Sequence, residues 1–247
     1  MSGDHFSPVA DKYASFRPSY PDELFDWLAS IAPRRKLAWD CGSGSGQATV
    51  ALAAHFEQVL GTDISAAQLA SAPAHANVEY RVASAEVSGL PDHSADLVTV
   101  AQAMHWFDLP AFYAEVQRVL EPQGVIAVWG YNRLQIDDSG LQTVLDRFYA
   151  ETIGSYWPPE RAHVENAYRD LPFPFTRIAA PPFALRKEWS REHLLGYLRS
   201  WSAVARFQAA NGFDPVSELA EEMGAYWQEG KVHQIEWPLF MHVGRKA

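Results

Sequence analysis

One cysteine, Cys41, stands in a chain of 247 residues, so no intramolecular disulfide is available and oxidising conditions have left no mark on the sequence. Basic residues are few: 20 Lys and Arg face 30 Asp and Glu, a net charge of −10 that repels a phosphate backbone. Their densest group is Arg34-Arg35-Lys36. Nucleic acid and an anionic membrane surface are therefore not expected partners. No run of about 18 uninterrupted apolar residues occurs, and the opening segment has no cationic start followed by an apolar stretch, so neither a membrane span nor secretion is expected. A cytoplasmic location is the expectation. The nine histidines form no H-E-x-x-H or clustered metal-ligand spacing, and no metal is expected. G-x-x-x-x-G-K-S/T and G-x-S-x-G are also missing, which removes a P-loop nucleotide site and a hydrolase nucleophile elbow.

What is present is an ordinary globular composition, 48% hydrophobic and 20% charged, with β-rich runs in the first half each followed by a segment of helical length. The candidate strands are Lys36–Asp40, Gln58–Asp63, Val78–Val82, Ala95–Ala101 and Val125–Trp129. Their centres lie roughly 20 to 30 residues apart, the length of a strand, a helix and two short loops, which implies a parallel sheet covered by helices on both faces. Asp108–Leu120 is predicted helical: Phe112, Val116, Val119 and Leu120 share a face, Asp108 is a suitable N-cap, and Glu121-Pro-Gln-Gly124 ends it. Pro21-Asp22-Glu23 starts an earlier helix with Leu24, Leu28 and Ile31 on one side.

After Gly130 the alternation weakens, prolines cluster, and five of the nine tryptophans occur. Helices are predicted at Leu141–Thr152, Glu160–Arg169, Arg191–Ser202 and Pro215–Trp227, with antiparallel strands near Phe183–Trp189 and His233–Val243. The expected whole is one α/β domain, a Rossmann-like, seven-stranded, mostly parallel sheet. Residues 1–35 would form an N-terminal flap and helix, 36–130 the cofactor-binding core, 131–182 a helical cap insertion, and 183–247 the last helices and strands.

Chemistry concentrates where Leu37-Ala-Trp-Asp40 runs into Cys41-Gly42-Ser43-Gly44-Ser45-Gly46, an apolar strand ending in an acid and three alternating glycines. So much glycine suits close ligand approach to a backbone, although a tight strand-to-helix turn would use glycine as well. Asp63 ends the second strand 21 residues after Gly42, placed to accept from both hydroxyls of a ribose. A dinucleotide fingerprint would carry glycine where Gln47 stands, and Asp40 would repel a phosphate while suiting a cationic amino group. S-adenosyl-L-methionine is the ligand that fits, with an NAD-dependent Rossmann oxidoreductase, or a regulatory protein that binds the cofactor without catalysis, as the alternatives.

Asp40-x-Gly-x-Gly-x-Gly46, Asp63-Ile-Ser, Ala85-Glu86…Leu90-Pro91 and the strand Asp96–Ala101 resemble, in order and spacing, the class I S-adenosylmethionine-dependent methyltransferases over residues 36–130. Phe6…Tyr13-Ala-Ser-Phe-Arg17-Pro-Ser-Tyr20-Pro21 and Gln102-Ala-Met-His105-Trp106-Phe107-Asp108 are similar to the methyltransferase type 11, trans-aconitate methyltransferase-like group. The resemblance implies methyl transfer to a small-molecule acceptor, O-methylation of a carboxylic acid first. It puts the methionine part of the cofactor against Asp40, Gly42, Ser43 and Gly44, with Gly46 also in the cofactor-binding loop, the ribose on Asp63, adenine near Ile64, and Arg17 on the cofactor carboxylate. Where many relatives carry an Asp for adenine, this chain has Ser84-Ala85-Glu86, so Ser84, Ala85 or Glu86 would serve. Gln102 joins the cofactor side, and Tyr13, Tyr20, His105 and Trp106 the acceptor side, His105 being the candidate base for a phenol or amine. Of the later tryptophans, most are expected in the core and one or two on the acceptor pocket. Monomer and homodimer both remain open.

Overall fold

The fold is given by a computed structural model that describes residues 18–246. The leading helix α1 (Asp22–Ile31) begins right after Pro21 and buries Leu24, Phe25 and Leu28. There follow β1 (Leu37–Cys41), α2 (Gln47–Ala53), β2 (Gln58–Asp63), α3 (Ala66–Ala70), β3 (Val78–Val82), β4 (Ala95–Ala101), α4 (Leu109–Val119) and β5 (Leu120–Tyr131). The four β-rich runs up to Ala101 are strands within one residue of expectation, and the fifth is longer at both ends. Asp108 caps α4 by accepting from the Ala111 amide, as its position ahead of an apolar stripe requires.

The parallel strands stand in the order β3-β2-β1-β4-β5. Side chains alternate across the pleat, so Leu97, Val125, Ala127 and Trp129 join one core with α1 and α2, while Val98, Val100, Ile126 and Val128 join another with α4. Burying each of these large side chains stabilises the fold by about 1.5–3 kcal/mol, which is why the central strands read as nearly unbroken apolar runs.

The second half adds β6 (Gln135–Ile136), α5 (Ser139–Arg147) running into a π-turn at Phe148–Thr152, α6 (Arg161–Glu165), β7 (Thr176–Ile178) and β8 (Ala184–Trp189). It ends with α7 (Arg191–Arg199), α8 (Ser202–Asn211), α9 (Pro215–Met223) and β9 (His233–Arg245). The long β9 serves two partners in turn. Its last part, Leu239 to Arg245, lies antiparallel between β5 and β7 and completes a run of seven strands. Its first part, His233 to Pro238, lies between β6 and β8 and extends the sheet to nine strands, two more than the sequence reading. Ile235 and Trp237 on that part, with Leu141 of α5, Leu194 of α7 and Val216 of α9, form a third core.

Three local expectations are corrected. The helix expected at Glu160–Arg169 is shorter because Ala167 and Tyr168 take left-handed backbone angles, φ 53° and 57°. The helix expected at Arg191–Ser202 stops at Arg199, and Ser202 opens the unforeseen α8. The short strands β6 and β7 were also missed, since two or three residues carry too little alternation to register.

Candidate functional site

Strand order reverses between β1 and β4, and the crevice outside their carboxyl ends is where open α/β sheets take ligands. Both motifs arrive there. From β1 the chain enters the glycine loop, held by the Gly42 and Ser43 amides donating to Thr62 O at 2.8 and 2.9 Å. Gly42, Gly44 and Gly46 all have positive φ, but their surroundings differ. A Cβ at Gly42 would stand 2.6 Å from Ala103 Cβ, and one at Gly46 2.3 Å from the Tyr80 hydroxyl, so these two glycines are demanded by packing. At Gly44 the nearest atom would be Gln68 Oε1 at 3.9 Å, an open face of backbone. Beside it the Ser43 hydroxyl is buried without a hydrogen-bond partner among the described residues.

Asp63 ties the second strand to this loop. One carboxylate oxygen accepts from the Gly44 amide at 2.9 Å and the other from the Ser65 amide at 2.8 Å, leaving further lone pairs on each. Ile64 beyond it is 51% exposed, and Val82, aligned with Asp63 on the neighbouring strand, is 59% exposed, an apolar rim suited to a flat base. Ser84 is partly exposed and Ala85 buried, while Glu86 accepts from the Asp108 amide at 3.1 Å. Asp40 sits deeper. Its two oxygens accept from the hydroxyls of Thr49 (2.6 Å) and Thr99 (2.9 Å), and it is shut off from solvent beneath the loop. Burial pushes its pKa up to about 6 against the pull of the two hydroxyls.

From β4 the chain turns at Gln102, a non-glycine residue at φ 59° whose amide donates to Trp129 O and whose side chain donates to Tyr131 O at 3.1 Å. Met104–Trp106 is a single 3-10 turn that carries His105 and Trp106 to the wall of a pocket. The Nδ1 atom of His105 lies 2.7 Å from the Tyr168 hydroxyl. Burial raises the Tyr168 pKa well above its usual value, so the phenol stays protonated. Donation from Tyr168 to Nδ1 leaves no buried hydroxyl hydrogen unpaired, and so places the imidazole hydrogen on Nε2. Burial, with Arg161 and His163 nearby, pushes the His105 pKa down to about 3.

The far wall of the pocket comes from the second half of the chain: Tyr149, Trp157, Arg161, Ser200, Trp201 and their neighbours. Of the later tryptophans, Trp157 and Trp201 line this pocket. Tyr149, Arg161 and the serines were not anticipated, because nothing in a proline-punctuated segment announces which side chains will face β4. Tyr20 is not among the pocket-lining residues; it packs edge-on against Phe25 and Trp129. Tyr13 and Arg17 lie outside the described residues. Cys41 is buried at the end of β1 with its thiol pKa raised by burial, an inert packing residue. Among the described residues no group of His, Cys, Asp and Glu is placed to hold a metal ion.

Known proteins resemble this chain in sequence and fold. A family model described as a methyltransferase domain matches residues 39–128, which include the glycine loop and the Gln102–His105 turn. A Dictyostelium discoideum protein assigned as a methyltransferase is 38% identical over 98% of this chain and 95% of its own. A Saccharomyces cerevisiae protein assigned as an S-adenosylmethionine-dependent methyltransferase is 32% identical over 48% of this chain and 44% of its own. Among solved structures, an Anaeromyxobacter dehalogenans protein assigned as a type II methyltransferase superposes with a TM-score of 0.89 at 44% identity, covering 94% of this chain and 98% of that one.

Proposed function

From the premise that this chain belongs to the class I S-adenosylmethionine-dependent methyltransferases, we propose that it moves the cofactor's methyl group to a small carboxylic acid held beside His105. The family sets aside the oxidoreductase and the non-catalytic alternatives. Bound at the crevice, S-adenosyl-L-methionine supplies an activated methyl on a sulfonium, open to in-line displacement. The open backbone at Gly44 and the unpaired Ser43 hydroxyl suit its methionine part, and the spare lone pairs of Asp63 suit the ribose hydroxyls. The Ile64 and Val82 rim suits adenine, with Ser84, Ala85 and Glu86 at its edge. Asp40 beneath the loop favours a cation above it, and Gln102 joins the cofactor side to the pocket.

The observation that carries the acceptor assignment is the setting of His105, on the pocket wall and held at Nδ1 by the Tyr168 hydroxyl. An imidazole with a pKa near 3 is neutral at physiological pH and too weak a base to draw a proton from a phenol or ammonium. A site with so weak a base suits an acceptor that is already a nucleophile, and a carboxylate is one at pH 7. His105, expected from sequence as a base, then serves as an Nε2–H donor that orients the acceptor, with Trp106 as the adjoining wall. The residues contribute alignment and exclusion of water rather than a covalent step. The similarity of Gln102–Asp108 to trans-aconitate methyltransferase-like enzymes supports the same acceptor class.

The test is formation of S-adenosylhomocysteine and an alkali-labile methyl ester with a panel of carboxylic acids, against matched phenols and amines. Turnover of phenols or amines in preference to acids would overturn the assignment. The net charge of −10 supports a small acceptor over a nucleic acid, and the single buried cysteine supports a cytoplasmic setting. Among the described residues no helix is long and apolar enough to cross a membrane.

A further inference from the structure

We propose that Arg161 is the anion clamp of the acceptor pocket and that it selects a carboxylate carried on a planar, aromatic or conjugated body. This rests on reading the pocket beside His105 as the acceptor site. In a chain of net charge −10, the described residues lining that pocket include Arg133 and Arg161 and neither Asp nor Glu. The pocket thus has the opposite sign to the protein, a local field that draws in an anion.

The two arginines are not equivalent. Arg133 stands half-exposed and is paired with Asp146 at 3.6 Å. Arg161 has no carboxylate within 4 Å among the described residues. Its Nε donates to the Tyr149 hydroxyl at 3.2 Å, and its guanidinium lies 4.9 Å over the Trp157 ring. Tyr149 passes its own hydrogen to Glu165, so that acid orients Arg161 through the phenol and leaves the terminal nitrogens of the guanidinium to another partner. The two terminal nitrogens make no hydrogen bond among the described residues. A guanidinium fixed by stacking and by one nitrogen, with its outer edge unengaged, is pre-set to take a carboxylate in fork geometry.

The body of the ligand follows from the walls. Tyr149, Trp157 and Trp201 stand 5.2–5.8 Å from one another, at interplanar angles from 34° to 84°. Such surfaces hold a flat π-system by offset and edge contacts better than a flexible alkyl chain. An aromatic enclosure of this kind would also suit a quaternary ammonium, but the positive charge of Arg161 repels one. Trp157 Nε1 is buried with no hydrogen-bond partner among the described residues, a second donor in the ring that stacks on Arg161.

The probes are 2-naphthoate, its uncharged amide 2-naphthamide, and hexanoate, each titrated by tryptophan fluorescence into the full chain saturated with S-adenosylhomocysteine. Naphthoate should bind at least tenfold more tightly than naphthamide and than hexanoate. Arg161→Gln, which keeps a planar hydrogen-bonding end over Trp157 without the charge, should lose tenfold or more in naphthoate affinity and abolish the preference over the amide. Arg161→Lys should fall between, while S-adenosylhomocysteine affinity and the melting temperature stay as in the wild type. No naphthoate binding by the wild type, or an unchanged preference in Arg161→Gln, overturns the clamp; equal binding of hexanoate overturns the planar body. Methyl-ester formation at equal rates by wild type and Arg161→Gln would remove the clamp yet leave carboxylate methylation standing. Arg161-dependent binding without ester formation would do the reverse.

Discussion

Asp63 and Asp40 are both acids at strand ends, yet they do different work because one is half-open and the other sealed. Asp63 faces the loop with lone pairs to spare, so Asp63→Asn, which keeps one acceptor, should weaken cofactor binding by roughly ten- to a hundredfold, the worth of one or two charged hydrogen bonds. Thermal stability should change little; calorimetric titration with S-adenosylhomocysteine alongside a melting curve separates the two. Asp40 has its folded pKa raised to about 6 by burial, so between pH 5 and 7 it passes from neutral to charged. The positively charged cofactor should therefore bind more tightly at pH 7 than at pH 5, and Asp40→Asn should flatten that dependence. An identical pH profile in the variant would show that Asp40 does not sense the ligand.

His105 gives the opposite sign. Its folded pKa is depressed to about 3 against an unfolded value of 6.5, so the unfolded chain binds more protons between these values and folding stability falls as pH drops through that window. Above pH 6.5 nothing changes at this residue. The rate of ester formation should accordingly be level from about pH 7 to 9, and a rise governed by a group near 7 would restore His105 as a base. Tyr168→Phe should shift His105 away from the Nε2–H tautomer, visible in imidazole nitrogen-15 shifts, and lower kcat with cofactor affinity intact.

At the scale of elements, the glycine loop separates shape from function. Gly46→Ala forces a Cβ onto the Tyr80 hydroxyl at a positive φ, and should cost about 2 kcal/mol or more in urea unfolding. Gly44→Ala meets open space, so it should cost only about 1 kcal/mol from backbone strain while reducing cofactor affinity disproportionately. Equal effects of the two on affinity would mean that the open face at Gly44 is not where the ligand lies. The turn at Ala167 and Tyr168 is a second such element. Two consecutive left-handed residues end α6 early and drive the Tyr168 ring inward against His105. Sequence periodicity read straight through this turn because neither residue is glycine or asparagine, the usual signals of a positive φ.

Across the whole molecule β9 matters most, since one strand belongs both to the parallel sheet that carries the glycine loop and to the core beneath the pocket beside His105. Chemical unfolding followed by far-ultraviolet and near-ultraviolet circular dichroism should give coincident transitions, with Trp237→Ala lowering both by about 3–5 kcal/mol. Separate transitions would show that the strand does not couple the two halves.

Sequence by itself determined the parallel sheet, the glycine loop, Asp63 and the His105-Trp106 turn. Strand alternation, glycine spacing and helix caps are local, and each is written within about ten residues of where it acts. Tertiary structure alone decided that Arg161, Trp157 and Trp201 would face His105, that Tyr168 would reach back 63 residues to hold it, and that Asp40 would be sealed beneath the loop rather than open to the ligand. Those placements come from packing across the sheet edge and along β9, where the partners are distant in the chain and no short-range pattern carries the information.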